Sequence, residues 1–367
     1  MLEQYFTKCS IEQEYKPYQL GSTLRLYDTE FPKIDQGQIA IIGVVSKNTN
    51  EISAIRHEIY SLVSHPILED KVIDLGNVIE GETPAETHKK LKKISESLIS
   101  QGVTSILLGT SLDQGEAQYQ ALQLENKLIE TSLISSHLPL LEYQILNRIC
   151  NYEPNYLQTI SALAFQSHYI PSKALDTLEN LNFGHLRLGA LKSNTEDAEL
   201  LLRNSSLVMF DLNAIKHSDA PGTKKIQPNG LTGEEACQLS RYSGISDATQ
   251  CFGIFEYEPS IDEQGITAKV IAQMVWYFLD GYANRSNDAP DLHNEFVKYR
   301  CDIQDNQPPI LFLKSKRTNR WWMQIEHPAE PSKTSLQLTF PCSYMDYQMA
   351  ANGELPLRYM NAIKRLQ

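Results

Sequence analysis

Seven short and nearly unbroken apolar runs, separated by longer stretches of helical periodicity, restrict this chain to one kind of architecture. The runs are Gln38–Val45, Lys71–Gly76, Val103–Gly109, Ser132–Ser136, Leu157–Phe165, Leu207–Leu212 and Cys251–Tyr257. A strand with one wet face alternates apolar and polar residues. Runs that are apolar at nearly every position suit strands covered on both faces, as in a parallel sheet. Helical patterns fill the intervals at Ile52–Val63, Pro84–Ser100, Glu116–Glu130, Ser172–Asn180, Thr195–Arg203, Thr232–Tyr242 and Thr267–Tyr282. In "TPAETHKKLKKISESLISQG", Thr83 is placed to cap a helix with Pro84 at its first position and Glu86 at its third. Leu91, Ile94 and Leu98 then recur at helical spacing, and Gly102 ends the segment. Strand and helix alternating in this way predict a three-layer, doubly wound, mostly parallel α/β sheet with helices on both faces.

In such folds chemistry collects at the carboxyl ends of the strands. Four strand ends carry polar residues: "GTSLDQ", "SSHLP", "FDLNAIKHSDAPG" and "FEYEP". The formal net charge of -12 argues against a nucleic-acid or anionic-membrane partner, and it slows anionic ligands unless local cations compensate. Six cysteines, Cys9, Cys150, Cys237, Cys251, Cys301 and Cys342, lack any CxxC or other ligand spacing and read as buried thiols. The first twenty residues lack the basic-then-apolar order of a signal peptide. No apolar run approaches the roughly 20 residues needed to cross a bilayer. These features point to a cytoplasmic protein.

After Tyr282 the chain changes character. An acidic, Asn-rich stretch "ANRSNDAPDLHNE" reads as a connecting loop. Beyond it, "PPILFLKSKRTNRWWMQIEHP" and "SLQLTFPCSYMDYQMAANGELPLRYM" predict a strand pair and a terminal helix, with breaks in the helical pattern at Gly353 and Pro356. The expected organisation is an N-terminal extension over 1–36, a main α/β domain over 37–283, and a small C-terminal extension over 284–367 packed on it.

The four strand ends and their surroundings resemble the ureohydrolase family of arginase, agmatinase and formimidoylglutamase. "GLTGEEACQLSRYSG", followed by "FGIFEYEPSID" and "TAKVIAQMVWYFLDG", resembles the family's last two strand–helix units. "FDLNAIKHSDAPG" is similar to its Asp-rich strand end, and "LRLGAL" and "ALAFQSHYI" to stretches between the central strands. "RWWMQ" and "PCSYMDYQMAANGELPLRY" resemble the C-terminal extension of a divergent bacterial formimidoylglutamase-like branch. The resemblance runs from about Gln38 to the C-terminus and implies an arginase/deacetylase-like fold.

It also implies a chemistry. Active ureohydrolases hold two manganese ions about 3.5 Å apart and attack a guanidino or formimino carbon with the bridging hydroxide. Their ligands come from Gly-Gly-Asp-His, Asp-Ala-His-x-Asp and Asp-x-Asp motifs. Carried over position by position, Leu112 falls where the first histidine ligand belongs. Ser135 and Pro139 fall at two aspartate positions around His137, and Asn213 replaces the last aspartate after Asp211. Only His137 and Asp211 match. Each carboxylate missing about 4 Å from a divalent ion removes several kcal/mol at an effective dielectric near ~20. No dinuclear site of the family's kind is therefore expected, and no cofactor; Mn²⁺ enters only if the metal site is reduced to one ion or its ligands are relocated.

Each remaining candidate has two readings. His137 is either a remnant ligand for one metal, with Asp211 and Asn213, or a hydrogen-bonded residue lining a vacated pocket. Asp211 is either a functional carboxylate or an acceptor for local amides. Glu256 falls where active relatives grip the substrate's cationic amidino group, so it is the candidate substrate-binding residue; its other reading is a buried glutamate paired to a cation. Asp113 and Asp219 are potential displaced ligands, although Asp219 suits an Asx-turn. His168 and His217 are potential general acids, and Ser111 with His137 a remote nucleophile pair. Arg317, Arg320, Trp321 and Trp322 form a cation–aromatic cluster, suited either to packing the extension or to anchoring a partner.

Three functional readings follow. The first is a non-catalytic pseudoenzyme or binding module that takes a small guanidino or amino ligand or a protein, with homo-oligomerisation a family-level expectation. The second is an active metal-dependent hydrolase of non-peptide C–N bonds with a reduced or relocated metal site. The third is a scaffold acting through its C-terminal surface.

Overall fold

The runs that are apolar throughout become the strands of one large sheet. A computed structural model describes residues 2–9, 14–45, 52–290, 295–303, 309–327 and 336–366 of the 367-residue chain. The strands of the large sheet are β1 (Phe6–Thr7), β2 (Arg25–Leu26), β3 (Ile39–Val45), β4 (Val72–Ile79), β5 (Thr104–Leu108), β6 (Ile129–Ile134), β7 (Leu157–Phe165), β8 (Gly184–Arg187), β9 (Leu207–Asp211) and β10 (Cys251–Phe255). Their order across the sheet is β1-β4-β3-β5-β10-β9-β6-β7-β8, with β2 also on β4. All pairings are parallel except β1 with β4. Every residue of β3, β5, β9 and β10 is buried, which is why their sequences carry no polar alternation. The fold is a doubly wound, mostly parallel α/β sheet flanked by helices.

β8 has no counterpart among the seven apolar runs. It lies at the sheet's end and alternates half-buried and exposed residues over only four positions, too few to show a period. The N-terminal segment contributes β1 and β2 to the opposite end.

The helix Pro84–Ser100 starts on Thr83, whose side chain accepts the Glu86 amide. The helix expected over Glu116–Glu130 is shorter: Gly115–Leu122 runs into a 3-10 turn, and Asn126 takes a left-handed conformation that halts it. β6 then begins at Ile129, earlier than the Ser132–Ser136 run suggests. Helices Gly233–Ile245 and Ile266–Ala283 cross at two glycines. A Cβ on Gly244 would lie 2.1 Å from the Phe278 carbonyl oxygen, and one on Gly281 2.3 Å from that of Arg241, so the backbones meet where no side chain fits.

One buried ionic network ties helix Ser53–Ser61 to β4. Arg56 donates from Nε to Asp74 Oδ2 at 2.8 Å and from Nη2 to Asp74 Oδ1 at 3.0 Å. It also bonds Asn77 Oδ1 and the Gly76 carbonyl, while Tyr60 Oη and Cys9 Sγ donate to the same carboxylate. Burial works against the guanidinium's charge, but Asp74 more than restores it. Burial, then the Asp74 charge, push the Cys9 thiol up to about 12.

The chain divides into two compact units: Met1–Ala174 with Gly184–Asn284, and Leu175–Phe183 with Arg285–Gln367. In the second, the expected strand pair is a four-stranded antiparallel sheet of β11 (Phe296–Cys301), β12 (Ile310–Ser315), β13 (Trp321–His327) and β14 (Leu336–Cys342). Two helices, Tyr344–Ala351 and Leu357–Leu366, replace the single one expected, separated at the Gly353 and Pro356 break. β11 is unannounced because it follows directly on the Asn-rich stretch, of which residues 291–294 lie outside the described residues. Phe312, Trp321, Met323, Phe340 and Tyr359 share this unit's core. Among the described residues, no helix is long and apolar enough to cross a membrane.

Candidate functional site

The strand order brings the four polar strand ends together. β5, β10, β9 and β6 are consecutive neighbours, so the segments that follow them emerge side by side. Leu112 follows β5, Glu256 follows β10, Asp211 ends β9 with Asn213 just beyond it, and Ser135, His137 and Pro139 follow β6. Residues up to 144 positions apart in sequence thus meet at the carboxyl edge of the sheet, where the winding direction changes.

Asp211 is at the centre. It is 3% exposed, and both carboxylate oxygens are engaged. Oδ2 accepts the Ser135 hydroxyl at 2.7 Å. Oδ1 accepts the Asn213 backbone amide at 2.8 Å and the Asn213 side-chain amide at 2.7 Å. Ser135 Oγ in turn accepts the His137 amide at 3.1 Å, and Asn213 Oδ1 accepts the Lys225 amide at 3.3 Å. The aspartate therefore knots three loops together.

His137 lies over this knot. Its Nδ1 pairs with Ser136 Oγ at 2.8 Å, and its ring stacks on Tyr169 with centroids 4.9 Å apart. Burial and the Lys225 ammonium hold its pKa below the ordinary histidine value, against the pull of Asp211. Glu256 has φ +72°, a left-handed backbone rare for a residue with a Cβ and costing about 1–3 kcal/mol. Its Oε1 accepts the Leu112 amide at 2.9 Å. Burial raises its pKa despite that bond, and the Asp211 charge adds to the rise.

The other candidates are engaged elsewhere. Asp113 is an exposed partner of Arg148 at 2.7 Å. Asp219 accepts the Gly233 amide at 3.0 Å; burial pushes its pKa up, but that amide, Ser218 and Lys216 bring it below the usual carboxylate range. The His217 amide donates to the Gln227 carbonyl, and the exposed His168 ring tilts against Tyr169 at 4.1 Å. Ser111 Oγ accepts the Asp113 amide, and no hydrogen bond joins it to His137 among the described residues. In the second unit, Trp321 and Trp322 are 8% and 3% exposed, Arg320 lies 3.9 Å from Asp288, and Arg317 is exposed. Both indoles are therefore buried.

Residues 188–280 match the model of the arginase family. No curated protein matches the chain. Among solved structures, the formiminoglutamase of Trypanosoma cruzi with Mn²⁺ aligns at TM-score 0.63 and 21% identity, covering 73% of this chain and 99% of that one. The formimidoylglutamase of Bacillus subtilis aligns at TM-score 0.65 and 15% identity, over 75% and 96%. The agmatine ureohydrolase of Thermoplasma volcanium aligns at 0.55 and 17%, over 68% and 91%. This is an arginase-fold protein resembling formiminoglutamase.

The manganese pair implied by an arginase fold does not fit the donors present here. Leu112 and Pro139 have no side-chain electron pair to give. Ser135 and the Asn213 amide point their protons, not their lone pairs, at Asp211. Among the described residues, no group of three or more His, Cys, Asp or Glu side chains converges as a metal-holding set. Two participants in this arginase-fold crevice went unmarked in the sequence: Lys225, whose charge acts on both His137 and Glu256, and Tyr169, the platform for His137. A basic residue in the loop after "FDLN" and an aromatic after "FQSH" were the available signals.

Proposed function

We propose that this arginase-fold protein does not run dinuclear manganese hydrolysis and instead binds a small cationic ligand, of guanidino or amino type, without turning it over. The observation that carries the reading is the saturation of Asp211. A carboxylate that accepts three hydrogen bonds from neighbours replacing two former ligand positions is a structural acceptor, and withdrawing it for a metal would strand those donors at about 1–3 kcal/mol each. Glu256 remains for ligand recognition. Only its Oε1 accepts a bond among the described residues, leaving Oε2 for an amidinium or ammonium group.

The test is turnover of agmatine and of N-formimidoyl-glutamate in excess Mn²⁺, followed as urea and formamide release. The expected result is the buffer rate with both. Release that Asp211→Ala abolishes would overturn the reading in favour of an active hydrolase with relocated ligands.

A further inference from the structure

A second concave surface lies beyond the crevice, at the carboxyl ends of β7 and β8. It is a groove of about 680 Å³, within the size range of small-molecule sites. Its chemistry is one-sided. Arg187, Lys192, Lys216 and His168 line it with the apolar faces of Leu188 and Pro228, and no Asp or Glu does. On a chain of net charge -12 three cationic side chains in one lining stand out, two of them paired to carboxylates outside it. The cleft beside Ser111 shows the contrast: Glu80, Glu82, Asp113 and Glu116 line it, with Arg148 and His88 among them.

Two of the cations are committed. Lys192 lies 3.1 Å from Glu235 and Lys216 3.2 Å from Asp219. Arg187 is different: it is exposed and forms no ion pair among the described residues. Its place is fixed by the backbone. The β7–β8 register shifts between Leu163 and Phe165, at Ala164 with φ +66°, and this sets Phe165 opposite Arg187. Bulges of this kind re-aim side chains beside binding sites. The facing wall is equally held. Gln166, 5% exposed, donates from Nε2 to the Asn229 carbonyl at 3.0 Å and from its amide to the Ser136 carbonyl at 3.0 Å.

We propose that this groove binds a small organic carboxylate, with Arg187 as the anchoring cation and Lys192 and Lys216 as flanking charge. The planar guanidinium matches a carboxylate through two parallel N–H···O bonds, which a lysine does not reproduce. Leu188 and Pro228 supply contact for a short carbon chain and favour an organic anion over inorganic phosphate. The proposal is independent of how the metal positions are read, because it uses none of those residues.

Titration calorimetry of the full chain with glutarate at low ionic strength tests it, with inorganic phosphate as the competing probe. Glutarate is expected to bind saturably, Arg187→Gln to weaken it at least tenfold, and Arg187→Lys to weaken it less. Arg187 is exposed, so an unchanged melting temperature confirms that each variant is folded. No saturable binding, equal binding by Arg187→Gln, or phosphate binding more tightly than glutarate would each overturn the proposal.

Discussion

Asp211 and Glu256 show how single residues divide between structure and recognition. Asp211 spends both oxygens on its neighbours, whereas Glu256 is held in a left-handed backbone with one oxygen bonded. Burial raises the Glu256 pKa, so the folded state holds its proton where the unfolded state has released it. Stability from this group is full below the ordinary glutamate value of about 4.3 and is lost as pH rises toward the folded value. Glu256→Gln keeps an oxygen for the Leu112 amide and removes the titration. Urea unfolding across pH is therefore expected to show the wild type losing stability relative to Glu256→Gln above about pH 4. A constant difference between the two would contradict the assignment. At this scale the sequence announced His137, Asp211 and Glu256 as strand-end residues, and Leu112 and Pro139 as unable to bind metal. It was silent on Ser135 as the donor to Asp211, because that bond depends on β6 lying next to β9, a property of strand order and not of either segment.

Elements were legible where burial was complete and obscure where it was partial. β3, β5, β9 and β10 are buried at every position and were found by apolarity alone, while β8, with one half-buried face, was not. The antiparallel sheet of the second unit was undercounted for the same reason, since β11 is exposed or half-buried at every position but Cys301. A lone aspartate in the apolar run "KVIDLG" was a signal left unused: Asp74 is fully buried and demands a cation, which helix Ser53–Ser61 supplies as Arg56. Removing one partner of such a pair leaves an uncompensated charge. Arg56→Ala is expected to lower the unfolding free energy by about 3–5 kcal/mol in denaturant titrations. A loss below about 1 kcal/mol would mean that the network does not join the helix to β4 as described.

At the level of the whole molecule, the function we propose separates the scaffold from the chemistry. The sheet keeps an arginase fold, and the segment that matches the family model spans the last two strand–helix units up to residue 280. The crevice at its centre keeps two of the six ligand types that the resemblance implies, His137 and Asp211, and has turned the second inward. Fold is carried by strand burial and by helices that touch at Gly244 and Gly281; of the ligand positions that the resemblance implies, only Asp211 lies within a strand. A fold held in this way does not by itself fix the chemistry of the site it carries. The direct test is the manganese content of the full chain after equilibration with excess Mn²⁺ and removal of free metal, measured by elemental analysis. Less than a tenth of an equivalent per chain is predicted, as for a protein with no caging set; two equivalents per chain would contradict the account.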